Sequence, residues 1–366
     1  AGPSRQIPSY FEMPLKIFTT LSNLEGFDYN TNFNSTARRE KYTMTVHNDY
    51  ACFGFYDSDE EKRAIPKGWI PLNFKNGENA KAAKDAAMAT GAFPVGLKSR
   101  VLKRDAEAVS NNKWNSDIFK NTPIPSGEFT TLNVDGGLIN NEPFEKVRDL
   151  LDDISIDKKL IDYNNAAELK EELTLLNTNY ERFVNTVLMI DPFPTKERDK
   201  KASGFELKQD LLSIIGYTFG AMMNQMRVKP ENYRAAMLDF DASQFIISPS
   251  RHFVDADGKV NDVFGEKAIA CGALGGFSGF ISKEFRVHDY YLGRFNCEIF
   301  LRDYFTIPAV SLPENVIFSE GYANTDKEKF KSTYDDSYQI IPIFTPHPGK
   351  GVFPMPVFSN GNSWPL

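Results

Sequence analysis

A strand that ends on two glycines and is followed by a helix constrains this chain more than any other feature. Phe129 to Val134 reads as a short strand, and Asp135-Gly136-Gly137 follows it as a tight turn. Phe144, Val147, Leu150 and Leu151 then carry helical spacing. Strand, turn and helix in that order predict an α/β fold. Open sheets of that class place functional groups at strand ends that face a crevice. Two glycines beside an acid permit unusual backbone angles and close approach to a neighbour. The same residues also suit a plain turn, with a capping network around Asn140, Asn141 and Pro143.

The rest of the chain fits that class. Residues 14–33 read as strand, turn and strand, with the turn at Glu25-Gly26, and Tyr42 to Val46 as a further strand. Residues 56–78 read as loop. Asn79 to Ala89 is a strong helix by alanine content, closed by Thr90-Gly91-Ala92-Phe93-Pro94. Leu169 to Leu188 is expected as one long helix, open to interruption at 177–179, and Leu207 to Met226 as another. Ile269 to Phe305 is expected to be helical with tight contacts. Residues 341–366 hold six prolines and read as an extended surface tail.

Composition excludes several classes. The net charge is −7, which argues against nucleic-acid binding because phosphate neutralisation needs surplus Lys and Arg. Thirty Phe and fifteen Tyr provide ample core material. Cys52, Cys271 and Cys297 form no CxxC and read as free thiols, which favours a cytoplasmic location. The polar start lacks a signal-peptide core. Leu211 to Met226 is uncharged but shorter than the roughly 20 residues of a membrane span, so a core helix is expected and no transmembrane segment.

Other motifs fail on register. Gly91 to Ser99 superficially resembles a phosphate-binding loop, but Leu97 stands where its lysine is required. Asp255-Ala256-Asp257-Gly258 has its glycine too early for a calcium loop. His47, His252, His288 and His347 lack metal-ligand spacing. No metal or cofactor is expected. Asn34-Ser35-Thr36 matches a glycosylation sequon, relevant only to a secreted protein.

The segment Asn133 to Pro143, with its Asp135-Gly136-Gly137 and Asn140-Asn141, resembles the aspartate motif of patatin-like phospholipases. Ala86 to Pro94 resembles that family's small-residue helix ending in Ser/Thr-x-Ala-hydrophobic-Pro. Pro14 to Leu24 with Gly26 resembles the strand after its nucleophile region. The resemblance covers about residues 10–150 and implies part of a three-layer sheet-and-helix domain over 1–155. A mainly helical region packed on it is expected over 156–340, then the tail over 341–366.

The family acts through a Ser–Asp dyad, with its serine in a G-x-S-x-G elbow and an upstream Gly-rich oxyanion loop. Neither is found here, and Gly276-Phe277-Ser278-Gly279-Phe280 is out of register and follows the aspartate. The resemblance implies a lipid acyl hydrolase represented by its later portion. Asp135 is then the general base, Gly136 and Gly137 support its loop, and the substrate is a lipid or ester. The nucleophile part lies elsewhere, on a second polypeptide among other sources. The alternative is a non-catalytic scaffold or binding protein. None of the histidines is expected to be a catalytic base.

Leu207, Leu211, Ile214, Ile215, Phe219, Met222, Met223 and Met226 share helical spacing and suit either a core or an acyl-chain lining, with core expected. Ile343-Phe344 and Val352-Phe353-Pro354-Met355 of the tail suit cover of their own domain or contact with a membrane or partner.

Overall fold

The computed structural model describes residues 11–31, 42–94, 96–120, 124, 126–140, 143–192, 210–227, 242–254, 258–272, 278–313, 315, 322 and 326–343. The chain has a mixed α/β architecture and divides into two compact units. One is Ala1–Pro143 with Leu207–Lys229, the other Phe144–Glu206 with Pro230–Leu366.

The first unit is built on a five-stranded sheet of order β3-β2-β1-β5-β4. Its strands are β1 (Leu15–Thr31), β2 (Tyr42–Phe55), β3 (Ile70–Leu72), β4 (Arg100–Asp105) and β5 (Glu128–Asp135). All pairs are antiparallel except β2 with β3. The expected break at Glu25-Gly26 is not a turn between two strands. β1 runs through it, and the register against β2 shifts between Ser22 and Phe27. Gly26 sits there at φ +83°, a left-handed conformation suited to a bulge. The region expected as loop, 56–78, holds β3 and the short helix α1 (Asp59–Arg63). A capping box between Ser58 and Glu61 starts α1.

Helix α2 (Ala80–Thr90) covers one sheet face. Ala86 and Ala89 are fully buried against Leu21, Ala51, Phe53, Leu72 and Leu102. Small side chains bring the helix backbone close to the sheet. By two-residue alternation Asp49 and Arg104 lie on this same face. Arg104 Nη1 donates to Asp49 Oδ1 at 3.0 Å, and both side chains are essentially inaccessible. The guanidinium also donates to the Tyr50 carbonyl and to Thr131 Oγ1. On the other face Trp114 meets Phe18, Tyr50 and Trp69 edge to face. It lies between α3 (Ala106–Ser110) and α4 (Ser116–Phe119). Asn112 donates to Cys52 Sγ beside it at 3.0 Å.

The second unit starts at α5 (Phe144–Asp157), so the unit boundary falls before that helix rather than at residue 155. Arg148 of α5 explains the allegiance. It donates to Asn177 Oδ1 and Asn185 Oδ1 at 2.7 and 2.8 Å, and to the Ser243 carbonyl, all in the second unit. The helix expected over 169–188 is α6 (Ala166–Thr178) followed by strand β6 (Val187–Ile190). Asn179 is extended at the end of α6, so the Thr and Asn residues at 177–179 do stop it.

Among the described residues of the second unit helix outweighs strand, and six short strands form three two-stranded sheets. β6 pairs with β7 (Gln244–Ile247), β8 (Ser250–Val254) with β9 (Val260–Phe264), and β10 (Thr306–Pro308) with β11 (Ser337–Gln339). Helices α8 (Ser278–Ile281) and α9 (Lys283–Asp303) complete it. Its core gathers Phe183, Ala242, Ile307, Leu312, Tyr322, Phe330 and Tyr338.

The remaining helix, α7 (Leu211–Arg227), belongs to the first unit. No described helix is long and apolar enough to cross a membrane. Residues 344–366 of the expected tail, the sequon at 34–36, His347 and Asp255 to Asp257 lie outside the described residues.

Candidate functional site

Asp135 is the last residue of β5, and a 3-10 turn, Gly136–Leu138, follows directly. Its side chain is held locally, with Gly137 N–H donating to Asp135 Oδ1 at 2.8 Å. This is the capping geometry that a short acid before two glycines favours. The residue is half-buried.

The backbone of Asp135 is fixed by two other segments. It pairs with Leu21 of β1, and Ser22 Oγ donates to its carbonyl at 2.8 Å. Its own N–H donates to the Ala92 carbonyl at 3.0 Å. Ala92 lies in the Thr90-Gly91-Ala92-Phe93-Pro94 stop after α2 and is 1% exposed. The residues around 14–24, 86–94 and 133–143, far apart in sequence, therefore meet at the backbone of one residue.

Gly136 is required by that meeting. A Cβ there would lie 2.1 Å from the Thr20 carbonyl oxygen, and backbone cannot yield as a side-chain tip can. The Gly136 carbonyl accepts from Ile139 N–H at 3.1 Å and Asn140 N–H at 2.9 Å. Asn140 Nδ2 reaches Tyr50 Oη at 3.3 Å. Among the described residues, Thr19 Oγ1, Asn133 Oδ1 and Asn140 Oδ1 are buried without a hydrogen-bond partner. All three belong to the segments that meet at Asp135. A buried polar atom left unmatched costs about 1–3 kcal/mol.

α7 packs against the Gly136–Leu138 turn. It departs from the expected core helix. Leu211, Leu212, Ile214 and Ile215 are 74, 81, 45 and 55% exposed. The side chains of Phe219, Met222, Met223 and Met226 lie outside the described residues, as does Leu207.

The described histidines have partners of their own. His47 Nδ1 lies 2.8 Å from the Asn23 carbonyl, His252 pairs with Asp262, and His288 with Asp289. Among the described residues no group of His, Cys, Asp and Glu could hold a metal. Ser278 is buried, and its hydroxyl donates to the Ala270 carbonyl at 3.3 Å. Asp289 accepts from the Ala270 and Cys271 N–H groups at 2.6 and 2.8 Å. Burial pushes Asp289 upward, but these bonds and that from His288 outweigh it and hold the carboxyl below its usual range. Beside it the Cys271 thiol is pushed up to about 12, by burial first and then by bonding to Asp289, so it is no thiolate nucleophile.

A pocket of about 880 Å³ opens in the first unit, with Lys67, Trp69, Asn79, Lys103, Glu107 and Glu128 in its lining. Asp135 is not among its lining residues. Sequence patterns alone missed this pocket, because its residues come from β3 and the loop before it, the start of α2, β4, α3 and the start of β5, with no shared motif.

No protein-family model matches the chain. No solved structure matches it. An uncharacterized protein, y4iI, of Sinorhizobium fredii (strain NBRC 101917 / NGR234) is 30% identical over 379 residues, covering 92% of this chain and 48% of that protein. The chain thus spans about half the length of the curated relative it matches.

Proposed function

We propose that this chain is the later portion of a patatin-like lipid acyl hydrolase, with Asp135 as general base and the nucleophilic serine supplied from outside residues 1–366. The observation that carries the reading is the convergence at Asp135. The three segments that resemble the family meet at the backbone of this one residue through Leu21 pairing, Ser22 Oγ and the Ala92 carbonyl.

In the proposed reaction the serine Oγ forms a bond to the substrate acyl carbon, and its proton passes to the Asp135 carboxylate. The ester C–O bond then breaks, and the leaving alcohol takes that proton. Water repeats the sequence on the acyl-enzyme and releases the fatty acid, returning the serine proton. Gly137 N–H fixes the carboxylate orientation through Oδ1. The close seat of Gly136 on Thr20 keeps the loop in place.

The second reading is a non-catalytic patatin-like binding protein. It is favoured by the cap from Asp135 Oδ1 to Gly137, which a purely structural turn would also make.

One experiment separates the two. Residues 1–366 alone give no ester hydrolysis above background. Completed with a segment carrying G-x-S-x-G and a Gly-rich loop, the protein hydrolyses p-nitrophenyl esters or phospholipid. Asp135→Asn then lowers kcat at least about a hundredfold, the scale of general-base catalysis, and leaves the fold intact. Serine-dependent turnover by the isolated chain, or activity indifferent to Asp135→Asn, defeats the proposal.

A further inference from the structure

The pocket of the first unit, about 880 Å³, has the volume of a small-ligand site, which runs from about 300 to 1,000 Å³. Its charges are balanced. Lys67, Lys103 and Arg104 line it, and so do Asp105, Glu107 and Glu128. Most of them are already engaged. Arg104 is paired with Asp49 away from solvent. Lys103 Nζ meets Glu128 Oε1 at 2.7 Å. Asp105 Oδ1 accepts from Glu107 N–H at 2.8 Å, at the start of α3. Lys67 and Glu107 remain. Among the described residues neither side chain has a hydrogen bond or an ion pair.

The backbone brings this cation and this anion to neighbouring positions. Gly68 has φ +82°, and a Cβ on it would lie 2.4 Å from the Asn111 carbonyl oxygen. The loop carrying Lys67 is therefore pressed onto the end of α3. Asn111 N–H donates to the Glu107 carbonyl at 2.9 Å, so Glu107 stands one turn back on the same side of α3. The two charges are held close to each other without pairing.

The rest of the lining is mixed. Trp69, Pro71 and Ala82 give it apolar surface, and Asn79 and Asn111 give it amides. Asn79 Nδ2 donates to the Pro71 carbonyl at 2.8 Å, which leaves its Oδ1 to accept. A polyphosphate would face the three carboxylates, and a polyamine would face the two lysines. A ligand with one ammonium and one carboxylate satisfies Glu107 and Lys67 together. A single amino acid would leave most of the volume empty. A short peptide fills it, and adds amides for Asn79 and Asn111 and side chains for the apolar walls.

We infer that this pocket binds a peptide of two or three residues with free termini, its ammonium on Glu107 and its carboxylate on Lys67. The inference does not rest on the hydrolase reading.

The test is equilibrium dialysis of residues 1–366 against a mixture of tripeptides Ala-X-Ala, read by mass spectrometry. One or more of them binds when both termini are free. Acetylating its amino end or amidating its carboxyl end weakens binding at least about tenfold, the scale of one charge-assisted hydrogen bond. Glu107→Gln weakens the free peptide by a similar factor but holds the acetylated one as the parent does. Lys67→Met behaves in the same way toward the amidated peptide. Both residues are exposed, and circular dichroism and melting stay unchanged. The blocked peptides test the parent itself, so that arm needs no variant.

The inference is overturned if no tripeptide binds or if a blocked peptide binds as tightly as the free one. Losses in the two variants that ignore which end is blocked also overturn it. Glycerophosphoethanolamine is a zwitterion of comparable size. If it binds more tightly than every tripeptide, the pocket belongs to a lipid headgroup and the peptide is defeated.

Discussion

The two longest helices of the first unit invert the usual relation between hydrophobicity and burial. α2 carries three charged residues in eleven and its apolar side is almost all alanine, yet Ala86 and Ala89 are fully buried. α7 carries no charge before Arg227, yet Leu211, Leu212, Ile214 and Ile215 lie open. What decides burial is the partner surface. Alanines fit where a helix backbone must lie close to a sheet already filled by Leu21, Phe53 and Leu102. Leucines and isoleucines are held outward on a helix whose half-buried side offers Ser213 and Tyr217. A helix is thus placed by shape as much as by hydropathy.

The strongest way to break this contrast is on the α2-covered sheet face. Arg104→Ala leaves Asp49 buried and uncompensated, and costs about 3–5 kcal/mol in urea unfolding. A loss under about 1 kcal/mol would show that this face is wet and that α2 is not a tight cover. Next in size is Ala89→Leu. Three added carbon atoms have no room, and the expected loss is about 1–3 kcal/mol. A neutral outcome would make α2 as loosely seated as α7.

A pH series sharpens the contrast between covered and open groups. Burial pushes the Cys52 thiol up to about 12, against the opposing hydrogen bond from Asn112. The unfolded chain loses that proton near its ordinary value while the folded chain keeps it. Stability contributed by this thiol is therefore fully present below about pH 9 and lost as pH rises toward about 12. At pH 8 Cys297, which is exposed, reacts with a thiol reagent at least about a hundredfold faster than Cys52. Equal rates would mean that the sheet face under Trp114 opens readily. The smallest effect belongs to α7. Leu212→Ser changes stability by no more than about 0.5 kcal/mol. A loss of 2 kcal/mol or more would show Leu212 to be a core residue after all.

The sequence made some of this legible. Helix α2 and its stop at 90–94 were readable because alanine propensity and a Gly-x-x-Pro ending are local signals. The placement of Asp135 at a strand end was readable for the same reason. The bulge in β1 was not, since Glu25-Gly26 has the same residues a hairpin turn would use, and only the partner register on β2 distinguishes them. The allegiance of α5 depended on Arg148 meeting Asn177, Asn185 and Ser243, up to 95 residues away. The strand at 187–190 depends on pairing with Gln244–Ile247. Exposure of α7 was hidden because its pattern is that of a core helix and only surroundings decide the direction it faces.

The division of the chain has a consequence for its biosynthesis. The first unit is discontinuous, and α7 reaches it only after all of 144–206 has been made. A ribosome adding about 5–20 residues per second spends on the order of ten seconds between Pro143 and Lys229. Through that interval the turn that follows Asp135 waits without the helix that packs on it. A fragment cut at residue 143 stays in that waiting state permanently, so expression trials that stop there compare an intermediate of synthesis, not a finished domain.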